Sequence, residues 1–202
     1  VKQIRVPLLR GWIDAYFAWR YHTAEDRKYR RWIAAGKVGP PPPLRKQEIV
    51  RSTGHQFGVT TLIETGTFEG KMVEAVERDF DRIFTIELDP SLGAEAAKRF
   101  RDRPHITVLQ GDSGQLLPRV LAELAEPAVF WLDAHYSGGQ TARGPTDTPI
   151  MHELSAIVEH RLHREHVLLI DDAREFSGGN YPTLESMGNW AQKHGYETMI
   201  VE

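Results

Sequence analysis

From residue 59 onward, short apolar runs alternate with longer stretches of mixed polarity. The runs are Val59–Ile63, Ile83–Ile86, Ile106–Leu109, Ala128–Leu132, Val167–Ile170 and Thr198–Val201. Each is short and free of charged residues, rich in β-branched and apolar side chains, as strands covered on both faces are. Between them Lys71–Phe80, Leu92–Arg101, Gln115–Leu124, Pro149–His160 and Thr183–His194 repeat apolar residues at helical spacing. Such alternation predicts βαβ crossovers and an α/β, doubly wound, mainly parallel sheet with helices on both faces. Ligands of such sheets lie at the carboxyl ends of the strands, so the residues following each strand carry the functional information.

Upstream the pattern differs. Leu8–Ala35 has helical spacing, with Trp12, Tyr16 and Trp19 on one stripe and a basic run Arg27–Arg31 after it. The stripe predicts packing on the main domain or a second copy, ahead of an interfacial membrane helix or a lid. Four prolines, Pro40–Pro43, form a stiff linker, and Leu44–Phe57 is again helical. The expected organisation is an N-terminal helical extension over 1–39, a proline linker and helix over 40–57, and a main α/β domain over 58–202.

Composition narrows the classes. The 202 residues carry a formal charge of −3, which disfavours a general nucleic-acid binder. There is no cysteine, so a metal would fall to oxygen and imidazole ligands. No apolar run nears the roughly 20 residues of a membrane span, and Val1–Arg10 lacks a signal-peptide core. A cytoplasmic protein is expected.

The first strand leads into Glu64-Thr65-Gly66-Thr67-Phe68-Glu69-Gly70, a turn whose glycines let backbone approach a ligand. Position 68 breaks the dinucleotide fingerprint, and Met72 replaces the hydroxyl residue of a phosphate loop. The second strand ends at Glu87, spaced to accept from ribose hydroxyls. The third ends at Gly111-Asp112-Ser113, where Asp112 is either a helix cap or an acceptor for an adenine amine.

In this order the residues resemble the class I S-adenosylmethionine-dependent methyltransferases, from about Val59 to the C-terminus. The resemblance implies a Rossmann-like fold and S-adenosylmethionine as cofactor. It implies that Glu64, Gly66, Thr67, Phe68 and Gly70 hold the methionine part, Glu87 the ribose, and Asp112 with Ser113 the adenine. It also implies an antiparallel hairpin with a seventh strand, which would lie beyond Glu202.

The fourth strand ends at Asp133-Ala134-His135-Tyr136 and the fifth at Asp171-Asp172. Three neighbouring carboxylates are unfavourable unless a cation or a proton offsets them, and hard oxygen ligands suit Mg²⁺ or Mn²⁺. Here the chain is similar to metal-dependent O-methyltransferases of the catechol and macrolide-sugar types, which implies Asp133, Asp171 and Asp172 as ligands. The competing reading is that Asp133 orients substrate while Asp171 and Asp172 cap a loop. His135 is the candidate base, with Tyr136 and Arg143 as substrate contacts in the glycine-rich segment Ser137–Pro145. Asp133–Gly139 and Tyr181–Glu185 also resemble a group of uncharacterised bacterial methyltransferases.

His160, His163 and His166 are interleaved with charged residues and predict a solvated helix end; Met151-His152-Glu153 lacks a zinc-protease partner. The expected function is Mg-assisted O-methylation of a small-molecule or saccharide hydroxyl, with no nucleic acid and a homodimer through the N-terminal helix. The alternatives are an NAD or nucleotide-sugar oxidoreductase and a non-catalytic adapter.

Overall fold

The computed structural model describes residues 24–134, 148–179 and 181–200. It divides into two compact units, residues 1–46 with 202 and residues 47–201. In the first, helix α1 (Ala24–Ala34) ends at Gly36 in the left-handed conformation, and Tyr29 is buried against Trp32 and Leu44. The aromatic stripe Trp12, Tyr16 and Trp19 lies outside the described residues. Helix α2 (Pro43–Phe57) starts on the last of the four prolines, where a missing amide costs nothing. The division between the units falls inside α2, ahead of residue 58.

The second unit is built on strands β1 (Thr61–Thr65), β2 (Arg82–Glu87), β3 (Ile106–Gln110), β4 (Val129–Leu132) and β5 (Val167–Ile170). All pairs are parallel, in the order β3-β2-β1-β4-β5. The helices are α3 (Lys71–Val76), α4 (Pro90–Phe100), α5 (Ser113–Ala122), α6 (Ile150–Glu159) and α7 (Leu184–His194). Adjacent strand residues face opposite cores, as the period of two requires. Ile63, Phe84 and Phe130 pack with Leu117, Leu154 and Ile157, while Leu62, Ile83 and Val129 pack with Val50, Val73 and Phe100.

The predicted strand Thr198–Val201 is a correction: Thr198–Ile200 run outside any strand, and Val201 is outside the described residues. Gly195, left-handed, ends α7, and Tyr196 then turns back. Its ring stacks on Trp190 and its hydroxyl donates to the His163 carbonyl at 2.5 Å. The short helix α3 stops at Val76 rather than Phe80. Beyond it Asp79 accepts from Arg51 at 2.8 Å, and the Phe80 ring comes within 2.8 Å of where a Cβ on Gly54 would lie.

The histidines also differ from expectation. His166 is 4% exposed: it accepts from the Ala128 amide at 3.0 Å, and its other nitrogen lies 2.8 Å from His160, whose ring stacks on it. Burial, with His160 and His163 nearby, pushes His166 down to about 4. The native imidazole is therefore neutral where the unfolded one, near 6.5, takes a proton. Stability should fall as pH drops from about 6.5 to 4, by on the order of 2 kcal/mol. His166→Asn keeps an acceptor for Ala128 and removes this titration, so its thermal midpoint should vary less than the wild type's across that range. Parallel pH profiles for the two proteins would show that this imidazole does not couple to folding.

Candidate functional site

Register brings the candidate residues into one row. Thr65 pairs with Ile86 and with Leu132, and Leu132 pairs with Ile170. The next residues, Gly66, Glu87, Asp133 and Asp171, therefore leave the sheet side by side, at the point where strand order reverses between β1 and β4. The ladder continues into them: the Gly66 amide donates to Ile86, Asp133 to Thr65, Asp171 to Leu132 and Gly111 to Glu87, at 2.8 to 3.1 Å.

The turn after β1 depends on glycine. Gly66 has φ +85, and a Cβ there would lie 2.6 Å from the Asp133 carbonyl oxygen. Phe68 is left-handed without being glycine, at φ +48, with its ring half exposed. Its amide donates to Glu87 Oε2 at 2.7 Å, and the Asp89 amide donates to Oε1 at 2.9 Å. Glu87 is thereby held by one amide on each oxygen, and the remaining lone pair of each can accept from a ligand. Gly70, φ +70, passes against the Phe100 ring and precedes α3.

Glu64 and Thr67 turn inward. Thr67 donates to Thr85 and Thr85 to Glu64, both at 2.5 Å, and Glu64 is 1% exposed. Burial pushes the Glu64 carboxyl up to about 8, opposed by the Thr85 hydrogen bond and reinforced by Asp133 and Glu87. Glu64 thus lies beneath the turn and braces it through two threonine hydroxyls.

Asp112 caps α5, accepting from the Gln115 amide at 3.2 Å. A cap uses one oxygen, so the carboxylate keeps acceptor capacity. Ser113 points the other way, donating to Glu153 Oε1 at 2.5 Å in a buried contact. Burial pushes Glu153 up to about 7, opposed by Ser113 and by the adjacent Thr65 hydroxyl.

Asp133, Asp171 and Asp172 converge, each offering an oxygen within 4.8 Å of the others. With Glu153, Phe176 and Tyr181 they line a shallow, open recess. Asp172 is left-handed, at φ +54, and its Oδ1 pairs with the Arg174 guanidinium. The donor set is all carboxylate oxygen, which fits Mg²⁺ or Mn²⁺. His135, Tyr136 and Arg143 lie outside the described residues.

Glu153 has a signature in the sequence that the motif search passes over. Ile150, Glu153, Leu154 and Ile157 form one helical stripe, and all four are buried, so a carboxylate stands on an apolar helix face. Arg174 has no such signal, because its placement depends on the left-handed backbone of Asp172.

No protein-family model and no curated protein matches the chain. Solved structures do match in fold. The O-methyltransferase TomG of Streptomyces achromogenes, involved in tomaymycin synthesis and solved with S-adenosylmethionine, is 14% identical. The match covers 91% of this chain and 82% of TomG, with a TM-score of 0.50. The methyltransferase PaMTH1 of Podospora anserina, bound to S-adenosylhomocysteine, is 13% identical over 95% of this chain and 85% of its own, also with a TM-score of 0.50. The fold is that of the class I methyltransferases, with a five-stranded parallel sheet and its crevice at the β1/β4 switch. Among the described residues no helix is long and apolar enough to cross a membrane.

Proposed function

We propose that the chain is an S-adenosylmethionine-dependent methyltransferase acting on a hydroxyl of a small-molecule or saccharide acceptor, assisted by Mg²⁺ or Mn²⁺. The observation that carries this reading is the row Gly66, Glu87, Asp133 and Asp171 set by strand register at the switch point. Gly66 to Gly70 would pass the methionine part, Glu87 would accept from both ribose hydroxyls, and Asp112 would accept from the adenine amine. The names of TomG and PaMTH1 agree with a methyl-transfer chemistry in this fold.

In the reaction the acceptor oxygen forms a bond to the methyl carbon, the carbon–sulfur pair returns to sulfur, and the hydroxyl proton departs. His135 is the proposed proton acceptor, with Tyr136 and Arg143 on the acceptor. Asp133, Asp171 and Asp172 would hold the divalent ion, which supplies Lewis acidity that lowers the pKa of the acceptor hydroxyl. The recess beside the three aspartates would orient that oxygen toward the methyl group. Segment 1–39 is proposed to pack on the domain or to form a homodimer.

Calorimetric titration of S-adenosylhomocysteine, with and without Mg²⁺, tests the reading. Micromolar binding is expected, and Asp171→Ala with Asp172→Ala should retain it while losing Mg²⁺-dependent turnover in an acceptor screen. Absence of binding in both conditions would remove the methyltransferase reading. Turnover that survives a chelator would remove the metal from it.

A further inference from the structure

We infer that Arg174 is a built-in counter-ion of the three-aspartate cluster, a guanidinium that must leave Asp172 before a divalent cation can be held by Asp133, Asp171 and Asp172. The inference rests on the metal-assisted reading above and concerns what sets the strength of that site. Three carboxylates whose oxygens lie within 4.8 Å repel one another, and a neighbouring cationic side chain relieves that repulsion in the absence of a metal. Arg174 Nη2 pairs with Asp172 Oδ1, supplying one.

The backbone explains how it gets there. Asp172 adopts φ +54 and ψ 37, and a single 3₁₀ turn, Ala173–Glu175, follows; the Glu175 amide donates to the Asp172 carbonyl at 2.8 Å. The chain therefore reverses within two residues, and the Arg174 side chain folds back on the carboxylate that precedes it. A left-handed aspartate is unfavourable unless its surroundings hold it there, and the ion pair is one such restraint.

The two partners differ in exposure. The Asp172 side chain is 8% exposed and that of Arg174 is 43% exposed. Arg174 thus has readier access to water than the aspartate it pairs with. Its Nε already lies 3.5 Å from the exposed carboxylate of Glu175, an alternative partner. The aspartate cannot move as freely. A cation entering the cluster meets a displaceable guanidinium on a fixed ligand, and ion and guanidinium compete because both are positive and both need Asp172.

The test is a calorimetric titration of Mn²⁺ into the wild-type chain, Arg174→Ala, Arg174→Lys and Asp172→Asn at low ionic strength, with thermal melts of each with and without Mn²⁺. Arg174→Ala should bind Mn²⁺ about tenfold more tightly than wild type, with Arg174→Lys between them and Asp172→Asn weakest. Metal-free Arg174→Ala should melt below wild type and show the larger Mn²⁺-induced rise. Equal or weaker binding by Arg174→Ala, with wild type binding, overturns the counter-ion role and leaves the metal site standing. Absence of Mn²⁺ binding in every protein overturns both.

Discussion

Gly66→Ala is expected to abolish S-adenosylhomocysteine binding and to destabilise the fold by about 3 kcal/mol or more, as measured by titration and denaturant unfolding. Two independent costs meet at this position. Its φ of +85 is left-handed, which an L side chain adopts at about 1–2 kcal/mol. An added Cβ would also lie 2.6 Å from the Asp133 carbonyl oxygen, 3.0 Å from its carbonyl carbon and 3.2 Å from the Ala134 Cα. These are backbone atoms at the end of β4, so no rotamer change relieves the overlap. The ends of β1 and β4 must part, displacing Asp133 and the turn at Phe68 together. Gly70→Ala is the comparison: its φ of +70 is also strained, but its Cβ would meet the Phe100 ring at 3.0 Å, and a side chain can yield. Its loss should be about 1–2 kcal/mol. Equal effects of the two substitutions would mean that backbone conformation alone, and not the close approach of β4, makes Gly66 necessary.

How far the sequence reveals this site depends on which interactions are local. The carboxylates Glu87, Asp133 and Asp171 are legible because each directly follows or ends an apolar run, and a parallel sheet aligns such positions. Strand limits are less so. The apolar run predicts β1 over Val59–Ile63, whereas the strand is Thr61–Thr65, because Glu64 is polar yet buried beside the Thr85 and Thr67 hydroxyls on neighbouring segments. The histidine series looks solvated from its charged neighbours, but His166 faces Ala128, 38 residues away. Apolar content at Thr198–Ile200 suggests a strand, and the Tyr196 contacts with Trp190 and His163 redirect the chain. In each case a partner distant in sequence decides, and periodicity does not report it. Asp112 shows the opposite limit: its cap on α5 is readable from local sequence and is compatible with a second role on a ligand.

Glu87→Ala should weaken S-adenosylhomocysteine binding about 100-fold or more while leaving a folded protein, because the residue serves the ligand and the turn at once. Each oxygen accepts one backbone amide, from Phe68 at 2.7 Å and from Asp89 at 2.9 Å, and each retains a lone pair that can accept from a ligand. Two ribose hydroxyls on an ionised acceptor contribute about 1.5–3 kcal/mol apiece, so their loss alone accounts for a factor of this size. Removal also strands the two amides, and the Phe68 turn, held at φ +48, loses the contact that fixes it. Stability should drop by about 1–3 kcal/mol on that account. Glu87→Gln separates the two functions. It preserves one acceptor oxygen but sets an amide nitrogen against a backbone donor, so it should recover part of the fold stability and little of the affinity. The decisive readout is discrimination by the sugar: wild type should prefer S-adenosylhomocysteine over its 2′-deoxy analogue, and Glu87→Ala should bind both equally. A variant that keeps the wild-type preference would place the ribose elsewhere in the crevice and leave Glu87 as a brace for the turn.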